Sequence, residues 1–149
     1  MGSKTIYQTT LLFIRLAFIL LFVYTATNKL MYLSVFQERL ERFPFIAPFN
    51  GIISVFIPFI ELVIAGLFLF PKYILPALYS SFILLMVFTV YIASVMKFSG
   101  SIPCSCGGVL SYMGWTDHIL FNAGFMSLAG LGMIMNKKLS KKVMDQNTT

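Results

Sequence analysis

The chain is short of charge and of the residues that carry most chemistry. Among 149 residues there are five acidic side chains, one histidine, one tryptophan and two cysteines. With 58% hydrophobic and only 11% charged residues, it cannot bury its apolar surface inside one small water-soluble domain, so a bilayer has to take the remainder. Two cysteines exclude a disulfide-rich secreted scaffold and any internal relay between two cysteine pairs. No long linker, repeat or low-complexity tract divides the sequence, which argues for a single membrane domain over residues 1–149.

Four apolar runs are long enough to cross a hydrocarbon core about 30 Å thick. They cover roughly Leu11 to Leu33, Gly51 to Phe70, Ile74 to Met96, and Trp115 to Met135, with a basic tail at 136–149. The expected fold is all-α: an integral membrane four-helix bundle. Between the first two runs, Phe36, Leu40 and Phe43 recur at helical spacing beside Gln37, Glu38, Arg39, Glu41 and Arg42, predicting a short amphipathic helix at the interface. The third run contains no charge. The first lacks a small-residue cleavage site and reads as a retained span, not a signal peptide.

Lysines set the orientation. Lys137, Lys138, Lys141 and Lys142 in the tail, with Lys4 and Lys72, fall on one side and predict that both termini are cytoplasmic in a bacterial inner membrane. The net charge of +6 is mostly this tail and suits anionic lipid, not nucleic acid. The loop "SIPCSCGGVLSYMG" is then exported, into an oxidising compartment.

That loop holds Cys104 and Cys106, followed by His118 at the start of the last run. A bridge across one intervening residue closes too small a ring to act as a staple, and a strained disulfide is the reducible, functional kind. Pro103, Gly107 and Gly108 permit the sharp turn it requires. The alternative is two small buried residues in a loop. His118, just below the membrane surface, is placed to lower a thiol pKa or relay a proton, and Asn122 follows one turn deeper on the same face. Interhelical hydrogen bonding is the other use of both residues. Cys104, Cys106 and His118 would also serve as copper ligands, although three ligands at this spacing match no common zinc pattern, and no metal site is assigned.

Glu61 lies near the middle of the second run, where a carboxylate requires a partner or a proton. A rise of about 1.5 Å per residue sets it level with Tyr24 and Thr25, within reach of Arg15 on one side or Lys29 on the other. If Tyr24, Asn28, Lys29, Tyr91, His118 and Asn122 point inward, a polar cavity lies beneath the cysteines and would seat a quinone ring or a proton path. Equally, an ion pair of Glu61 with Lys29 or Arg15 would only fix helix packing.

The segments "IRLAFILLFVYTATNKL" with Arg15 and Lys29, "IPFIELVIAGLFLF" with Glu61 and Gly66, and "CSCGG" before a final helix resemble the MauE and DoxX-like group of small four-helix membrane proteins. The resemblance spans most of the chain. In the MauE branch the loop usually reads Cys-x-Cys-Phe-Gly, whereas Gly107 follows Cys106 directly here. The resemblance implies a redox-associated membrane protein that helps form or maintain disulfides in exported partners.

The expected function is therefore thiol-disulfide exchange between Cys104/Cys106 and a periplasmic thiol protein or client. His118 would assist proton transfer, and Glu61, Lys29, Arg15, Tyr24 and Asn122 would line an acceptor or proton-path cavity. Electrons would leave to a bound quinone, another membrane subunit or a second thiol protein. The competing readings are a non-catalytic accessory or assembly subunit, a copper-handling protein and, from four short spans, a transporter.

Overall fold

The computed structural model describes residues 2–41, 46–98 and 114–147. Its elements are α1 (Gly2–Met31), α2 (Leu33–Glu41), α3 (Asn50–Leu69), α4 (Ile74–Phe98) and α5 (Trp115–Asn147). Single 3-10 turns at Ala47–Phe49 and Pro71–Tyr73 lead into α3 and α4. Proline at the start of each turn suits its fixed φ and missing N–H.

Helices α1, α3, α4 and α5 are each long and apolar enough to cross a membrane. They form an up-and-down bundle in which α1 packs chiefly on α3 and α4 chiefly on α5, while α1–α5 and α3–α4 contacts close the ring. The outward faces are as apolar as the core: Leu20, Ile52 and Leu120 are all more than 70% exposed. In water such a surface would aggregate; against acyl chains it requires no cover. The protein is a multi-pass membrane protein.

Three helices run past the expected boundaries, and α1 does so at its start, beginning at Gly2. Helix α5 continues from Met135 to Asn147. At 33 residues it is about 50 Å long, so the lysine-rich end projects beyond the hydrocarbon. Helix α4 continues to Phe98 and brings Lys97 into its last turn, where a cation complements the helix dipole. The amphipathic segment is helical at Leu33–Glu41, with Leu40 buried. It docks onto α3, where the Gln37 amide donates to Ser54 Oγ at 3.1 Å. Phe43 and Arg42 of that reading lie outside the described residues.

The inward seam explains where the site falls. On α1, Leu11, Ile14, Phe18, Phe22, Thr25 and Lys29 recur at three- and four-residue steps, all buried. On α3 the corresponding residues are Phe68, Ala65, Glu61, Pro58 and Ser54. Near the end bearing the chain termini the seam is apolar. Phe18 stacks on Phe68 with centroids 5.4 Å apart and meets Phe125 edge-on at 5.4 Å. Towards the opposite end the same seam turns polar.

Candidate functional site

The polar half of the seam is built by all four spans. Lys29 Nζ of α1 donates to Glu61 Oε1 of α3 at 2.5 Å, with side-chain exposures of only 9% and 4%. Proximity in a low-dielectric interior makes this attraction strong, and the pairing lets both residues remain there. The Thr25 hydroxyl, one turn before Lys29, lies beside the same carboxylate and donates to the Phe22 carbonyl at 3.3 Å. Lys29 also sits over the Phe88 ring of α4, 5.4 Å from its centroid, a cation–π contact that helps hold a desolvated ammonium. His118 of α5 is buried and within electrostatic reach of Lys29. One turn further, buried Asn122 donates through Nδ2 to Thr89 Oγ1 of α4 at 3.3 Å.

The start of α5 is fixed by a reciprocal cap. Gly114 N–H donates to Asp117 Oδ2 at 3.3 Å, and the Gly114 carbonyl accepts from His118 N–H at 3.0 Å. His118, the residue after Asp117, is buried in the bundle.

Three buried polar atoms have no hydrogen-bond partner among the described residues: Glu61 Oε2, His118 Nδ1 and Asn28 Oδ1. Buried polar atoms are nearly always satisfied, because leaving one bare costs about 1–3 kcal/mol. One of them, Glu61 Oε2, belongs to the ion pair itself, and Asn28 is the chain neighbour of Lys29. Among the described residues no group of three metal-binding side chains occurs.

The expected site residues separate into three sets. Lys29 and Glu61 pair between α1 and α3, while His118 and Asn122 are buried on α5, Asn122 against Thr89 of α4. Arg15 joins neither pair: its Nε and Nη2 donate to the Phe68 carbonyl at 3.0 and 2.6 Å, and Nη2 also reaches Leu69 O at 3.3 Å. It thus caps the exposed carbonyls at the end of α3 in the apolar half, and Glu61 is left to Lys29. Tyr24 is 38% exposed, one position off the seam, so it faces outwards and Thr25 takes the inward place. Cys104 and Cys106 lie outside the described residues, in the 99–113 segment that joins α4 to α5 at the polar end of the bundle.

Sequence reading missed Phe88 and Thr89, because an uncharged run offers no residue to question. Thr25 was legible, since the depth of Glu61 sets the two level.

Fold and site together define a class: a small polytopic helical membrane protein with an ion pair and unsatisfied polar atoms in one half of its core. The chain belongs to the MauE family. The family's model, methylamine utilisation protein MauE, matches residues 7–135, from the first turns of α1 to the end of the apolar part of α5. The broader DoxX-like resemblance has no part in that match. No curated protein and no solved structure matches the chain.

Proposed function

We propose that this protein is a membrane thiol-disulfide redox partner serving exported proteins of methylamine utilisation. In this reading the cytoplasmic termini and the exported 99–113 segment follow from the lysine distribution, and the bacterial inner membrane is the site of action. Cys104 and Cys106 cycle between disulfide and dithiol. A client thiolate attacks one sulfur of the pair, a mixed disulfide forms, and the second client thiolate displaces it. The client gains a disulfide, while Cys104 and Cys106 leave as the dithiol, carrying two electrons and two protons. With no other cysteine in the chain, those electrons pass to an acceptor outside it.

The observation that carries this reading is the setting of His118. It is buried at the start of the helix that follows the cysteine segment, with Nδ1 lacking a partner among the described residues. A neutral imidazole nitrogen there can accept a thiol proton and return it.

The experiment is thiol trapping in native membranes, with and without reductant. Cys104 and Cys106 should change state with the supply of a reduced periplasmic client. Cys104→Ser should accumulate no internal disulfide, and one single-serine variant should trap a mixed disulfide that identifies the partner. If the double serine variant matures exported partners at the normal rate, thiol exchange is wrong. The protein is then the accessory subunit that the family description equally accommodates.

A further inference from the structure

We infer that the polar half of the core is a binding site for the headgroup of a membrane quinone, which rests on the redox reading above and names its electron acceptor. The site lies between spans whose outer faces are lipid-directed, which suits an occupant that partitions into the bilayer. Two nine-tenths-buried side chains on different helices, Glu61 of α3, paired with Lys29, and His118 of α5, each present an atom without a partner among the described residues.

The chemistry of those atoms selects the ligand. Glu61 Oε2 accepts a hydrogen bond, and His118 Nδ1 accepts another in the tautomer that carries its hydrogen on Nε2, so a ligand that donates at two places satisfies both. A quinol does so through the two hydroxyls on opposite edges of its ring. An oxidised quinone instead offers two carbonyls, for which the ammonium of Lys29 retains hydrogens beyond the one given to Glu61 Oε1. The Phe88 ring adds an aromatic wall beside Lys29. A lipid carboxylate or phosphate would bring further acceptors and leave Glu61 Oε2 bare. A small cation would have to sit against Lys29, whose charge already balances Glu61. The stoichiometry also closes: the Cys104/Cys106 dithiol gives up two electrons and two protons in becoming a disulfide, and a quinone takes up both pairs in becoming a quinol.

The test uses the full-length protein in lipid nanodiscs, with decylubiquinone and menadione as probes. Saturable binding of at least one probe is expected. It should be retained in the Cys104→Ser/Cys106→Ser protein and weakened at least tenfold in His118→Leu, which removes an acceptor without breaking the ion pair. Glu61→Gln keeps a bond to Lys29 but loses the anionic acceptor and should weaken binding likewise; circular dichroism identifies any variant that has unfolded. Under anaerobic conditions, dithiol-form wild type should reduce one quinone per chain, and the double serine variant none. Absence of saturable binding to wild type, or equal binding by folded His118→Leu and Glu61→Gln, overturns the inference. Single-turnover exchange between the oxidised protein and a reduced client, run without quinone, keeps the two ideas apart. If exchange proceeds and quinone does not bind, only this inference falls; if exchange itself fails, the redox reading falls with it.

Discussion

Replacing Lys29 with methionine is the sharpest perturbation this structure offers. The substitution keeps an unbranched side chain of similar length and removes the charge. It leaves the Glu61 carboxylate, 3% exposed, with the Thr25 hydroxyl as its remaining polar neighbour. Breaking a buried pair from one side typically costs about 3–5 kcal/mol, because an uncompensated charge stays in low dielectric or must take up a proton. Lys29→Met should therefore destabilise the bundle by roughly that amount, measured by denaturant titration in mixed micelles with helix content as the readout. The double variant Lys29→Met/Glu61→Leu removes both charges and should recover most of the loss, since a well-packed apolar pair often equals or exceeds an ion pair in stability. Function then separates the two uses of the pair. A scaffold pair predicts that the double variant regains activity together with stability, whereas a ligand-binding pair predicts stability without activity. A cost below about 1 kcal/mol for Lys29→Met, the range of solvent-exposed pairs, would refute the claim that this pair is desolvated.

Arg15→Met removes the donors to the Phe68 and Leu69 carbonyls and should cost about 1.5–3 kcal/mol, the range for hydrogen bonds to charged groups, without altering quinone or thiol chemistry; thermal unfolding in detergent checks both halves of the statement. Gly132→Val should be destabilising by about 1–3 kcal/mol, because even a Cβ at that position would lie 3.0 Å from Leu78 Cδ2 and 3.4 Å from Ile14 Cγ2. Gly130→Ala on the same helix, with open space around it, is the control and should leave unfolding unchanged. Asn122→Leu loses one interhelical hydrogen bond to Thr89 and should shift stability by only about 0.6 kcal/mol, so a large loss would mean that Asn122 holds more than Thr89.

The four spans were legible because hydropathy is a local property. Each run is long enough to cross the bilayer by itself, whatever its neighbours do. The ends were less legible for the same reason: α5 runs on through its lysines to Asn147, since lysine is a good helix former and nothing in the tail stops the backbone ladder. Glu61 stood out because a mid-membrane carboxylate is costly in any fold. Its partner did not. From the level of Tyr24 and Thr25, Lys29 is about 7 Å away along the axis and Arg15 about 14 Å on the other side, a span that a long cationic side chain only partly covers; the packing of α1 on α3 gives Glu61 to Lys29, while Arg15 meets the end of α3.

Composition alone thus determined the solvent of this protein, its number of crossings and the handful of polar residues that need an explanation, because transfer into lipid is counted residue by residue. Packing decided the rest. Tyr24 faces outwards and Thr25 inwards over a difference of about 100° of helix rotation, and Phe88 and Thr89 of an uncharged helix line the site. Which atoms end up buried without a partner is a property of four helices at once, and no one-dimensional pattern carries it.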